Sequence, residues 1–184
     1  MKFIPQSIPD LLLIEPIVHG DGRGYFMETF RQDMLDQALG YKINFIQDNE
    51  SESISKGVLR GLHYQSPPYT QSKLVRVIKG RILDVAVDIR QDSPTFGKHA
   101  TVELSGENKK QLFLPQGFAH GFVVLSEGAI FAYKVDAYFS AHHDEGIAYN
   151  DKDIAVDWLL PEADIILSEA DRNNLNLAEK KNLL

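Results

Sequence analysis

His63, Lys73 and His120 are the side chains of this chain whose type and setting most readily suggest chemistry. Histidine titrates near neutrality, so it can take a proton from a substrate and give it back. His63 shares a face of its extended segment with Gln65, since side chains two apart in a strand point the same way. By the same alternation Lys73 shares a face with Val75 and Val77, opposite Leu74, Arg76 and Ile78. An ammonium turned inward with two valines needs a partner, unless it lies at a strand end with its head in water. His120 follows Phe118 and Ala119, and its alternative reading is a structural histidine. Tyr133 alternates with Phe131 and Val135, and is either a core tyrosine or a proton donor.

The elements that must carry these residues are strands. From about residue 43 to 139, β-branched and aromatic runs cover 74–78, 81–89, 99–104, 111–114, 121–125 and 129–139. Lys79-Gly80, Asp92-Ser93-Pro94, Ser105-Gly106 and Glu127-Gly128 separate them as turn signals. Short strands punctuated in this way predict an all-β fold, a jelly-roll β-sandwich with short flanking helices. Met34, Leu35, Ala38 and Leu39 predict one such helix over 31–39, stopped by Gly40. A single domain is expected, with an N-terminal extension of about 1–42, a jelly roll of about 43–140 and a C-terminal segment of about 141–184. Strict alternation sets Arg60 on the opposite face from His63, unless Gly61 marks a bulge that re-aims it.

Composition narrows the function classes. The 184 residues are 43% hydrophobic and 24% charged, ordinary for one soluble globular domain. The absence of cysteine removes disulfides and thiolate catalysis. A net charge of -7 argues against a general nucleic-acid binder. Leu11-Leu12-Leu13-Ile14 is too short for a membrane span and no signal-peptide layout precedes it, so a cytoplasmic location is expected. Gly20-Asp21-Gly22-Arg23-Gly24 lacks the strand–turn–helix setting and lysine of a phosphate loop, and reads as a turn.

Gly57, His63, Lys73 and Gly80, with Pro115, Gly117 and His120, resemble the two motifs of the cupin superfamily with the metal site dismantled. The second histidine of the first motif is Gln65 and its glutamate is Lys73. A divalent ion requires neutral imidazoles and carboxylates, and an ammonium in the same shell repels it. The resemblance implies that Lys73 takes the metal's place and that no cofactor is needed. Further segments narrow it: Asp21–Phe26, Gln47-Asp48-Asn49, Gly57–Gln65, Lys73–Arg76, Asp88-Ile89-Arg90, Ser93–Gly97, Pro115–Phe122, Tyr133-Lys134, Asn150-Asp151 and Leu167-Ser168-Glu169. Together they resemble the dTDP-4-dehydrorhamnose 3,5-epimerases, metal-free cupins, over residues 21–171.

That resemblance implies a homodimer inverting C3 and C5 of dTDP-4-dehydro-6-deoxyglucose. Inversion beside a ketone needs a base on one face, an acid on the other and a cation at the ketone oxygen. By resemblance His63 is the base, Asp171 its orienting carboxylate, Lys73 the cation and Tyr133 the opposite donor. His120 and Arg60 would bind the ketone region and diphosphate; Arg23, Glu28, Gln47 and Asn49 the nucleotide. Tyr138 would stack on thymine. Ser168-Glu169-Ala170-Asp171 also reads as a capping box opening a terminal helix. Two departures stand out. Ala170 replaces a family lysine, and Tyr149 replaces a family tryptophan, leaving the acidic binding position to Asp144 or Glu145. The competing functions are a related single-carbon epimerase or 3,4-ketoisomerase, a metal-dependent cupin using His63, Gln65 and His120, and a non-catalytic sugar-nucleotide binder.

Overall fold

Alternating and continuous apolar runs, cut by glycine-bearing turns, fold into thirteen strands in the computed structural model, which describes residues 1–181 and 183. In chain order they are β1 (Lys2–Pro5), β2 (Leu12–Glu15), β3 (Val18–Asp21), β4 (Gly24–Met27), β5 (Gln47–Ser53), β6 (Leu59–Gln65), β7 (Lys73–Lys79), β8 (Arg81–Asp88), β9 (His99–Ser105), β10 (Gln111–Leu114), β11 (Phe118–Val124), β12 (Ala129–Val135) and β13 (Asp144–Gly146). Two antiparallel sheets result, ordered β1-β2-β10-β7-β12-β5 and β13-β6-β11-β8-β9. The expected sandwich is present, and the six-stranded sheet also recruits residues 2–5 and 12–15 from the N-terminal stretch. The strand read as 129–139 ends at Val135, because the chain leaves the sheet in a bend at Asp136.

Val75, Val77, Phe131, Leu112, Leu114, Ile82, Ala86, Phe118, Phe122 and Val124 fill the space between the sheets. The five-stranded sheet is apolar on its outer face as well. Leu83, Val85, Val87, Leu59, Leu62 and Tyr64 pack there against Ile147, Ile154, Trp158 and Leu177 of the C-terminal segment. Burial on both faces explains why β8 reads as a near-continuous apolar run. Helix α1 (Gln32–Leu39), ending at Gly40 with φ 78°, lays Leu35 against Leu74, Phe113 and Ile14 on the outer face of the other sheet. The hairpin β3–β4 belongs to neither sheet, and its Gly20–Gly24 stretch is the turn the sequence suggested.

One position decides where β6 points its side chains. His120 pairs with His63 and Phe122 with Arg60, so β6 carries one extra residue between those pairs. This bulge sets Arg60 and His63 on the same inward face, as Gly61 hinted. Gly61 has φ 126°, and a Cβ there would lie 2.5 Å from Gly121 Cα. The two backbones meet where no side chain fits.

Buried polar groups anchor the loop after β8. Asp88 accepts from Arg90, Ser93 and Thr95, while Arg90 also donates to Asp10 at 2.7 Å and covers the Phe118 ring. Burial pushes the Asp88 carboxyl up, but these donors outweigh it and hold the pKa at about 2, below the ordinary 3.8. A depressed carboxylate stabilises the fold above its unfolded pKa and loses that contribution as pH falls toward its folded one. Urea midpoints of the native protein should therefore drop between pH 4 and pH 2 by an amount equivalent to about 2 kcal/mol from this group. Asp88→Asn should be less stable at pH 7 and should flatten that part of the pH dependence; an unchanged slope would refute the assignment.

Candidate active site

The inward faces at one end of the sandwich bring most of the sequence-predicted residues together. From the five-stranded sheet come Arg60, His63 and His120, and at the edge Asp144, which pairs with Gln65. From the six-stranded sheet come Lys73 and Tyr133, with Gln47 and Asn49 opposite Val135 and Tyr133. The His120 and Phe131 rings stack across the interior at 5.9 Å, which ties the two sheets at this level.

His63 Nε2 lies 2.5 Å from Asp171 Oδ1. The segment bearing Asp171 runs along the edge of β6, where Leu59 N donates to Ile166 O at 2.9 Å. It then turns into α2 (Glu169–Arg172). Ser168 caps this helix, though without the reciprocal bond of a full capping box, and the same turn carries Asp171 to His63. Ser168 Oγ caps α2 by accepting from Asp171 N at 3.0 Å and donates to Asp171 Oδ2 at 2.8 Å. Asp171 is only 4% exposed. Burial raises its carboxyl, yet hydrogen bonding and charge from His63, then Ser168 and the Gly61 N–H, leave its pKa lowered. An ionised Asp171 accepts the Nε2 proton, which leaves the lone pair on Nδ1, the base-and-orienter arrangement.

Lys73 is half-buried on the inward face of β7, with Val75 and Val77. Burial pulls its ammonium down to about 8, and the charges of Asp144 and Asp84 partly restore it. Asp84 was missed by sequence reasoning. It is fully buried on β8, accepts from His120 Nε2 at 2.9 Å through Oδ2, and leaves Oδ1 without a partner among the described residues. The signal was available: Asp84 shares an inward face with Ile82 and Ala86 in a run apolar on both sides, where a charge requires a partner. Tyr133 packs its ring on Phe131, and burial, then the Asp144 charge, raise its hydroxyl against a smaller opposing effect of Arg60. It therefore keeps its proton at neutral pH.

The remaining predicted residues divide. Asp144 is raised by burial, against His63 and Lys73, which places its charge among theirs. Glu145 points to the other face and accepts from Tyr64 at 3.0 Å and Lys180 at 3.4 Å. Of the two acidic candidates, Asp144 is the one at the site. Arg60 donates to Ser53 and to the Glu52 carbonyl at the rim. Tyr138 is exposed in the loop after β12. Arg23 and Glu28 are not brought in. The Arg23 side chain is 91% exposed and pairs with Asp21, and Glu28 faces Arg31. Arg23 sits in the β3–β4 hairpin, where Lys109 Nζ lies 4.1 Å from the centre of the Tyr25 ring.

A divalent ion does not fit this donor set. Among the described residues no three His, Asp or Glu side chains converge to hold one, and Gln65 is committed to backbone partners.

The dTDP-4-dehydrorhamnose 3,5-epimerase family model matches residues 5–179. A curated relative of that name from Shigella flexneri is 53% identical, over 94% of each chain. The crystal structure of one from Elizabethkingia anophelis NUHP1 superposes with a TM-score of 0.94 at 48% identity over 98% of each chain. A Legionella pneumophila dTDP-6-deoxy-D-glucose-3,5-epimerase, solved with dTDP-4-keto-L-rhamnose, gives the same TM-score and identity, over 98% of this chain and 94% of that one.

The chain belongs to the dTDP-4-dehydrorhamnose 3,5-epimerase family. Its relatives are epimerases, isomerases of sugar carbons, and that is the class of enzyme to which this protein belongs.

Holding a lysine on an inward face works against stability, because burial disfavours the ammonium. Lys73→Met should therefore abolish epimerase turnover while raising the thermal midpoint. A lowered midpoint would show instead that Lys73 holds the fold together.

Proposed function

We propose that this protein inverts C3 and C5 of dTDP-4-dehydro-6-deoxy-D-glucose, giving dTDP-4-dehydro-L-rhamnose without a cofactor, in the cytoplasm. The observation that carries this reading is the His63–Asp171 pair on one sheet facing Tyr133 and Lys73 on the other. His63 Nδ1 takes the proton from the carbon beside the C4 ketone. The electron pair moves onto the ketone oxygen, where the Lys73 ammonium meets the negative charge. Tyr133 returns a proton to the carbon from the opposite side, so configuration inverts. Once His63 has released its proton to water and Tyr133 has regained one from it, the same steps at the second carbon complete the reaction. General base catalysis of this kind contributes ~10²–10⁴-fold, and a comparable oxyanion donor ~10²–10³-fold in turnover.

Arg60 and Asn49 at the rim would hold the diphosphate and nucleotide, His120 the ketone region, and Tyr138 the thymine. Arg23 and Glu28 act in this reading as part of a homodimer. Tyr25 and Phe26 are 56% and 68% exposed on an arm outside both sheets, a surface suited to a second copy. Sedimentation should show a dimer; a fully active monomer would exclude a site shared between subunits.

Incubated with its sugar nucleotide in heavy water, the protein should introduce deuterium at both C3 and C5. His63→Ala should abolish both exchanges, and Tyr133→Phe should slow product formation more than exchange. Undiminished exchange in His63→Ala would remove that histidine from the base role, and exchange at a single carbon would make the protein a mono-epimerase.

Turnover should fall as pH rises through about 8, where Lys73 gives up its proton. Asp144→Asn removes a charge that props up the ammonium, and should move the alkaline limb to lower pH. A limb left in place by that substitution would separate it from Lys73.

A further inference from the structure

Residues 137–140 link β12 to the turn before β13 without belonging to any strand, so their backbone groups have no ladder to satisfy them. Glutamine side chains supply the partners. Gln71 Nε2 donates to Ala137 O at 2.8 Å, and Gln65 Nε2 donates to Tyr138 O at 3.2 Å. Phe139 N donates to Gln47 Oε1 at 3.3 Å, and Ser140 N to Gln65 Oε1 at 2.6 Å. Four consecutive residues are thus each held by an amide. The amides come from three places: β5 in the six-stranded sheet, β6 in the five-stranded sheet, and the loop before Lys73.

We propose that Gln65, with Gln47 and Gln71, is a positioning residue that locks the Tyr138 segment as a fixed wall at the nucleotide end of the site. An amide suits the task because it donates and accepts at once, and Gln65 does both to residues two apart. Gln65 is 4% exposed and also donates to Tyr69 O at 2.8 Å, so its amide is spent on protein. Gln47 likewise donates to Asn49 at 2.8 Å while accepting from Phe139, so it too holds the loop. The Tyr138 side chain itself is free, 64% exposed on a backbone tied at every residue. A wall fixed before ligand arrives spares the cost of ordering it on binding.

This inference rests on the reading of Tyr138 as the stacking partner of the base, and its effect belongs to binding rather than to proton transfer. Gln65→Met keeps the shape and removes both hydrogen-bonding ends. It should raise the thymidine diphosphate dissociation constant, measured by calorimetry, and KM for the sugar nucleotide by about tenfold, with kcat within about threefold. In a Tyr138→Ala background the same substitution should add less than about twofold, because the wall then has nothing to present. A tenfold effect that persists in that background, or a loss confined to kcat, would overturn the proposal. Should Gln65→Met fail to fold, Gln71→Leu takes the same cycle with about threefold effects expected in the same direction. Thymidine diphosphate binding is read without turnover, so failure of the clasp remains distinct from failure of the epimerase reading, which would appear as a native protein that exchanges no deuterium.

Discussion

An ammonium held between two apolar sheets is the constraint from which the rest of the site follows. Lys73 cannot stay charged there on its own, since an isolated buried charge neutralises itself by shifting its pKa. Asp84 and Asp144 supply the opposing charge, but a buried carboxylate needs donors in turn, and His120 gives one to Asp84. Every polar group admitted after Lys73 answers the one before it. The series ends on an Asp84 oxygen without a partner among the described residues, and on a lysine that still holds its proton at neutral pH.

Backbone geometry sets the other half of the site. A regular strand would have thrown either Arg60 or His63 out of the interior. The bulge at Gly61 admits both, and the bare contact between Gly61 and Gly121 lets β6 and β11 stay paired through it. Aim is settled here by the absence of two side chains rather than by the presence of one.

Much of this was legible beforehand because strands carry a simple code. Turn residues and apolar runs located β7 to β12 within a few residues, and alternation placed Lys73 and Tyr133 on inward faces. What lay hidden was partnership across long separations. Nothing near Asp84 in the chain names His120, and nothing near Gln65 names residues 137–140, so a strand aspartate and a lost metal ligand read as details. Asp144 and Glu145 are neighbours of equal type, and only the pairing of β13 with β6 shows which one turns inward. The Asp88-Ile89-Arg90 and Ser93–Gly97 stretches, which carry part of the family resemblance, form a structural knot, because Asp88 is enclosed by its own loop.

Asp171 couples the setting of His63 to the order in which the chain is made. It stands 108 residues after His63, on a segment that reaches the histidine only by lying along the finished edge of β6. Every strand of both sheets, with Lys73 and Tyr133, has been synthesised before residue 171 leaves the ribosome. The His63–Asp171 contact is therefore one of the last to form, made when the C-terminal segment comes to lie along β6.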